Sequence, residues 1–234
     1  MPRTPSAAHA SRLVKPAMRR PARAVPAPVP QPPAEPPRPS FRARMQVARE
    51  QAILDAVNHL LVTRGFDAMT VDAVAAEAGV AKASLYRHYP SKEALAAAAM
   101  VRVLDEALAH LDGLDPRARP LAQLEAVVRW TLQAQLQGRM PTLPSENSTL
   151  RAALLADAGY VDRLLRLSDR LEAWIHAAQK EGGIDPKLPP VVVLYTLYAR
   201  GCDPVVGFLK ASGSFSDEDI VSLVTRTCFS GLRR

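Results

Sequence analysis

The spacing of apolar and polar residues predicts helices through most of the chain after residue 40. In the segment that begins at Phe41, apolar residues recur at steps of three and four, as in an amphipathic helix. They are Ala52, Ile53, Ala56, Val57, Leu60 and Leu61. We predict a first helix over roughly 42–64, which Gly65 ends in a left-handed conformation with Phe66 as the accompanying hydrophobic contact.

A short second helix follows this glycine. Thr70 is a favourable N-cap, and Asp72 in the first turn complements the helix dipole. The small apolar residues between Val71 and Ala78 would form its buried side. Gly79 then predicts a tight turn, because glycine adopts a positive φ at little cost.

A third short helix is predicted from about residue 81 to residue 89, with Leu85 pointing inward and Tyr86 outward. Ser91 caps a fourth helix over about 91–111. Two short helices joined by a turn with glycine form a helix-turn-helix, whose second helix enters the DNA major groove.

The distribution of charge supports this interpretation better than the total charge does. Segment 41–112 contains eight Lys or Arg and nine Asp or Glu residues. Its cations nevertheless group at two places, the start of the first helix and the third helix, which predicts a phosphate-binding face with the carboxylates elsewhere. They are Arg42, Arg44 and Arg49 in the first group and Lys82, Arg87 and Lys92 in the second.

The first forty residues carry most of the net charge of +7. They hold seven Lys or Arg residues against Glu35 alone, which gives +6 and leaves +1 for the other 194 residues. They also hold 12 of the 21 prolines, which predicts a disordered arm over 1–40. Three interpretations stay open: a solvated tail, an arm that adds phosphate contacts, or a segment that is not translated because translation starts at Met18 or Met45.

Composition and motifs argue against several other classes of protein. No apolar run reaches the roughly 20 residues that span a bilayer, because Arg200 interrupts "VVVLYTLYA", so we expect a soluble, cytoplasmic protein. Cys202 and Cys228 lack metal-binding spacing, and no P-loop, G-x-S-x-G or HExxH pattern is present. We therefore expect no enzyme, no metal and no cofactor.

The run "GFDAMTVDAVAAEAGVAKASLYRHYPSKEAL" resembles the DNA-binding domain of the TetR family of bacterial transcriptional regulators. The similar elements are Gly65-Phe66, Thr70-Val71, "AGV" at 78–80, "LYRHY" at 85–89 and "SKEAL" at 91–95. The resemblance implies an all-α protein. A three-helix helix-turn-helix domain, 41–112, would precede a helical effector-binding and dimerisation domain, 113–234.

By resemblance, each DNA contact is assigned to a position of this motif. Phosphates would be bound by Thr70, Tyr86, His88 and Lys92, and Arg42 and Arg44 would add to them from the first helix. Base edges or groove walls would face Lys82, Ala83, Ser84 and Arg87. Lysine and arginine pair with guanine O6 and N7, which agrees with this assignment.

In the C-terminal half, helices are predicted near 120–138, 148–157, 160–181, 189–211 and 216–232, with a loop over 138–148. The stretch "YARGCDPVV" fits either one long helix kinked at Pro204 or two helices, the second capped by Asp203. The resemblance favours the kinked helix. It also implies that the last two helices form a homodimer interface, with apolar candidates Leu194, Leu197, Tyr198, Val205, Phe208, Val221, Val224 and Phe229.

The helices between would enclose a pocket for a small-molecule effector. The candidates, which combine bulk with a polar group, are Trp130, Tyr160, Trp174, His176 and Arg200. For each of them, ordinary packing is the competing interpretation. The predicted function is a sequence-specific transcriptional regulator, a ligand-responsive repressor that binds a near-palindromic operator as a dimer. The alternative is a sequence-tolerant architectural DNA-binding protein without an effector.

Overall fold

The computed structural model describes residues 40–141 and 148–233, and every regular element in these ranges is helical. The predicted all-α fold is confirmed. The predicted arm, apart from Ser40, and residues 142–147 of the predicted loop lie outside the described residues.

Four helices form the N-terminal part: α1 (Phe41–Ala68), α2 (Val71–Glu77), α3 (Lys82–His88) and α4 (Lys92–Asp112). The two predicted N-caps are present. Thr70 Oγ1 accepts a hydrogen bond from Ala73 N at 3.1 Å, and Ser91 Oγ accepts one from Ala94 N at 3.1 Å. The helix starts are thus fixed by residues visible in the sequence.

The predicted break after residue 64 is also present. Gly65 has φ 73° and ψ 170°, a conformation that residues with a Cβ rarely adopt. One more helical turn follows, so that α1 ends at Ala68 rather than at residue 64. Met69 N closes this turn by donating to the carbonyls of Gly65 and Phe66.

Six helices follow within the described residues: α5 (Pro120–Leu136), α6 (Thr149–Ala156), α7 (Ala158–Lys180), α8 (Pro190–Ala199), α9 (Pro204–Ser212) and α10 (Asp217–Ser230). The stretch predicted as one kinked helix is therefore two helices, separated by a 3-10 turn at Arg200–Cys202. Asp203 caps α9 by accepting from Val205 N at 3.0 Å, and Pro204 occupies the first helical position. Together these two residues favour a new helix start over continuation.

The segment Pro190–Ser212 is long and apolar enough to cross a membrane by length and composition alone. Arg200, Asp203 and Lys210 interrupt it, so the segment meets the criterion by its mean hydropathy and not as an uninterrupted apolar run. Apolar helices of soluble proteins meet the same criterion. In this fold Arg200 Nη1 donates to the buried carboxylate of Asp203 at 2.5 Å, inside the segment.

Two groups of buried apolar residues form the core. The N-terminal core contains residues of α1, α2, α3, the first half of α4, α6 and the start of α7. Its members include Val57, Leu60, Val74, Leu85, Leu95, Leu154 and Tyr160. The C-terminal core joins the second half of α4 with α5 and α7 to α10. Because α4 contributes to both, the division of domains at residue 112 stays a prediction.

Candidate nucleic-acid interface

The turn between α2 and α3 depends on the backbone of Gly79, whose φ is 65°. A Cβ there would meet no atom within 4 Å, so the constraint is the backbone conformation and not the space around it. Val80 N donates to Ala75 O at 3.0 Å and fixes the chain after the turn. These features set the direction in which α3 leaves α2.

Packing holds the two short helices in this arrangement. Each has seven residues, too few for a helix to be stable alone in water. Val74 on α2 and Leu85 on α3 are completely buried in the N-terminal core. The predicted inward direction of Leu85 is confirmed, and the rest of α3 is thereby turned toward solvent.

The exposed side of α3 carries the side chains that were predicted to contact DNA. Lys82, Ala83, Tyr86, Arg87 and His88 are exposed, and Ser84 is half-buried. Tyr86 is 47% exposed, whereas burial raises the pKa of the half-buried Tyr89. Thr70 is exposed beside this surface, although its Oγ1 already caps α2. We call the six α3 residues the recognition face; they are Lys82, Ala83, Ser84, Tyr86, Arg87 and His88.

One carboxylate lies at the recognition face. Lys82 Nζ is 2.8 Å from Asp72 Oδ1 and 2.9 Å from Asp72 Oδ2. This hydrogen-bonded contact raises the pKa of Lys82. The expected separation of acidic residues from this face is therefore wrong at Asp72, because the turn brings the first turn of α2 next to the start of α3.

Lys92 is engaged within the protein. Its Nζ donates to Phe66 O at 3.0 Å and lies 4.2 Å from the centroid of the Phe66 ring. A second, longer contact reaches Asp67 O at 3.4 Å. Phe66 O also accepts from Met69 N at 3.2 Å, so Lys92 adds a charged donor to a carbonyl at the end of α1 that already has a backbone partner. This structural role was missed in the sequence, since no local pattern connects two residues 26 positions apart.

The start of α1 extends the exposed basic surface. Arg42 and Arg44 lie in its first turns and are exposed. Further along, Arg49 and His88 line a recess of about 210 Å³ between α1 and the end of α3. The other lining residues are Gln46, Glu50, Ile53 and Tyr89. Arg49 thus lies next to the recognition face.

The five effector candidates occupy different surroundings. Trp130 stacks on His110 with ring centroids 5.3 Å apart, and burial lowers the pKa of that histidine. Tyr160 is buried in the N-terminal core, and His176 is exposed on α7. Arg200 forms the ion pair with Asp203.

Trp174, the fifth candidate, borders a cleft of about 610 Å³ at the end of α4. The Arg170 guanidinium lies 5.6 Å from its ring centroid and pairs with Asp112. The rest of the lining comprises Leu111, Leu114, Pro116, Ala118, Pro120, Gln123 and Ala173. Volume and lining are within the range of small-molecule sites.

Neither cysteine nor acidic clusters provide an obvious metal site in the described ranges. No group of three His, Cys, Asp or Glu side chains there could hold an ion. Cys202 and Cys228 are half-buried and do not form a disulfide, and burial raises the pKa of Cys228.

Comparison with known proteins agrees with this geometry. The family described as "Bacterial regulatory proteins, tetR family" matches residues 53–99, which include α2, the turn and α3. The nucleoid occlusion factor SlmA of Marinobacter nauticus is 31% identical over 169 residues, covering 70% of this chain and 80% of the relative. The chain belongs to the TetR family. The regulator RutR of Escherichia coli K12 is 28% identical over 158 residues, covering 68% of this chain and 74% of RutR.

Solved structures of the TetR family share the fold. The ketosteroid transcriptional regulator KstR2 of Mycobacterium tuberculosis has a TM-score of 0.60 at 20% identity, covering 80% of this chain and 95% of the other. As a TetR-family member, this protein is a DNA-binding transcriptional regulator and not an enzyme, as predicted.

The position of Lys92 makes its removal a test of stability. Lys92→Met keeps the aliphatic stem but leaves the carbonyl of Phe66 without its charged donor, and we expect a loss of about 1 kcal/mol in the free energy of unfolding. Arg87→Met is the matched control, because Arg87 is exposed and has no ion pair among the described residues. Urea unfolding of both variants measures the difference; equal stability would show that Lys92 contributes nothing to the fold.

Proposed function

We propose that the protein is a dimeric, ligand-responsive repressor that binds a near-palindromic operator in the cytoplasm. The observation that carries the proposal is the recognition face: a buried Leu85 turns the cations and hydroxyls of α3 to solvent. A helix presented in this way enters the major groove in helix-turn-helix proteins. The family supplies the coarser statement, regulation of transcription through DNA.

The proposed contacts follow the exposure of each side chain. Lys82, Ala83, Ser84 and Arg87 face the bases or groove walls. Thr70, Tyr86 and His88 contact phosphates, together with Arg42 and Arg44 from α1. Two of the three donors of the Lys92 ammonium lie near the carbonyls of Phe66 and Asp67, so we expect it to contribute less to phosphate binding than a lysine without such contacts.

Dimerisation is supported by an apolar surface on α8 and α9, although most of its members differ from the predicted ones. Five of the eight predicted interface residues lie buried in the chain's own core: Leu194, Leu197, Val221, Val224 and Phe229. Large apolar side chains instead remain exposed at Val191, Val192, Tyr195, Val205 and Phe208. We call these five the α8–α9 stripe.

A second copy of the chain is the proposed occupant of the α8–α9 stripe. Large exposed apolar patches are typical of protein–protein interfaces, and five large apolar side chains are exposed on these two successive helices. Members of this family generally act as dimers, and a two-fold pair of recognition faces explains a near-palindromic site. The stripe lies on the first of the two predicted interface helices, 189–211, as two segments instead of one, and has no member on the second, 216–232.

The end of α5 is the proposed route by which an effector changes DNA binding. On one side it is bound to the α9 region: Gln135 Nε2 donates to Asp203 O at 2.9 Å, and Lys210 Nζ donates to Leu136 O at 3.1 Å. On the other side Asn58 of α1 donates through Nδ2 to Gly138 O at 3.1 Å. A shift of α5 therefore acts on both the dimer surface and α1.

Charged residues on α4 strengthen this connection. Arg102 donates to Asp55 Oδ1 at 2.6 Å and to the carbonyl of Leu54 on α1. Glu106, one turn later, accepts from Arg139 at 2.9 Å at the end of α5. An effector that prefers one placement of α5 would shift the population of α1 and α4 placements, and with it the spacing of two recognition faces.

The effector site itself is proposed at the cleft beside Trp174. Its apolar lining with a few polar groups suits a largely apolar small molecule. Trp130, Tyr160, His176 and Arg200 are then not in one site with Trp174. Arg200 still contributes indirectly, since it is bound to Asp203 at the α5 contact.

An architectural, sequence-tolerant DNA-binding role is the second candidate. The observation that favours it is the similarity to a nucleoid occlusion factor. It predicts equal affinity for unrelated duplexes and strong dependence on the basic segment 1–40.

Substitutions on the recognition face distinguish the two functions. For the best duplex that the wild-type protein selects from a random library, we expect Lys82→Ala and Tyr86→Ala each to weaken binding at least tenfold, because a base contact or an ordered phosphate contact is lost. Arg166→Ala removes an exposed cation on α7 and should leave affinity unchanged. Fluorescence anisotropy measures all three. Wild-type affinity in both α3 variants would refute the site.

The proposed dimer is tested at its most exposed aromatic residue. Phe208 is 76% exposed, and Phe208→Glu would place a charge inside an apolar interface, so we expect a monomer by light scattering with weaker operator binding. Leu155→Glu, at another exposed apolar residue on α6, should remain a dimer. A dimeric Phe208→Glu protein would contradict the assigned interface.

A further inference from the structure

The contact between Asp72 and Lys82 crosses the helix-turn-helix at its base-facing end. Lys82 is the first residue of α3, and Asp72 lies in the first turn of α2. Both carboxylate oxygens are within 2.9 Å of Lys82 Nζ. Among the described cations of the recognition face and the start of α1, Lys82 alone is paired with a carboxylate.

This pair contributes little to the fold. The Lys82 and Asp72 side chains are 48% and 72% exposed, and solvent screens ion pairs of this kind so strongly that they usually change stability by about 1 kcal/mol or less. Val74 and Leu85 already fix the two helices through the buried core. We therefore expect the pair to affect DNA binding by Lys82 rather than the stability of the fold.

A duplex competes with Asp72 for the same ammonium. On a sequence with guanine O6 and N7 at this place, Lys82 exchanges the carboxylate for two base acceptors, and the freed Asp72 can accept from a cytosine amino group. On other sequences no such exchange is available. Lys82 then stays neutralised by Asp72 and adds nothing to the phosphate attraction that drives non-specific binding.

We propose that Asp72 is a specificity-determining residue. By pairing with Lys82 it weakens binding to non-operator DNA more than binding to the operator. Selectivity is a difference of two affinities, and an unfavourable element toward the wrong partner raises it as effectively as a favourable one toward the right partner. The inference rests on the proposed role of α3 in DNA recognition.

Asp72→Asn tests this inference, because it keeps the size and polarity of the side chain but frees Lys82. We expect affinity for a random-sequence duplex to rise about tenfold and affinity for the selected duplex to change less than about threefold. The dependence of log K on log salt for the random duplex should steepen by about 0.9, the value for one more neutralised phosphate. Anisotropy titrations over a series of KCl concentrations measure both quantities.

Two matched variants isolate the mechanism. Asp67→Asn removes the same charge from an exposed carboxylate that makes no side-chain ion pair among the described residues, and should leave the ratio of the two affinities unchanged. In a Lys82→Met background, Asp72→Asn should also leave the ratio unchanged. Thermal unfolding by circular dichroism checks that every variant is folded.

The outcomes separate this inference from the proposed function. The proposed role of Asp72 would be overturned if Asp72→Asn raised the affinities for the random and the selected duplex equally. It would also be overturned if Asp72→Asn changed the ratio of the two affinities by the same amount in the Lys82→Met background. Either result would leave sequence-specific binding intact. Failure of the wild-type protein to select any sequence would instead refute the function on which the inference rests.

Discussion

The burial of Leu85 and Val74 beside the Gly79 turn is the constraint on which the rest of the structure depends. Helices of seven residues have too few hydrogen bonds to persist alone, so their direction comes from packing and from the backbone of the turn. Because Leu85 points into the core, its neighbours on α3 point out. The same core joins α3 with α1 and α4.

The electrostatic properties of the recognition face depend on individual contacts rather than on the total charge of the chain. The chain carries +7, of which +6 lies in the first forty residues. Near the recognition face one lysine is bound to the carbonyl of Phe66 and another to Asp72. Arg87 on α3 makes no ion pair among the described residues. The ammonium groups of these two lysines therefore already have acceptors within the protein.

Local signals explain which parts could be predicted from sequence. Thr70, Ser91 and Gly65 act within three or four residues, so helix starts and the break in α1 followed from the pattern. At Asp203-Pro204 the local cap was also visible, but the resemblance favoured one long helix. The partners of Lys82 and Lys92 could not be predicted, since turn geometry and tertiary packing bring them together. Burial on α8 likewise depended on which of its faces α7 covers, and burial on α10 depended on which face α5 covers.

Binding-site selection from a random duplex library, with a chain that begins at Ser40, tests most directly whether the recognition face determines sequence-specific binding. We expect enrichment of one near-palindromic sequence. Its half-sites should lie about one helical turn, or a multiple of it, apart, because two copies of α3 would lie in successive major grooves. The full chain should enrich the same sequence. Enrichment of no sequence by the shortened chain, with DNA binding retained only when residues 1–39 are present, would contradict the central role of the recognition face.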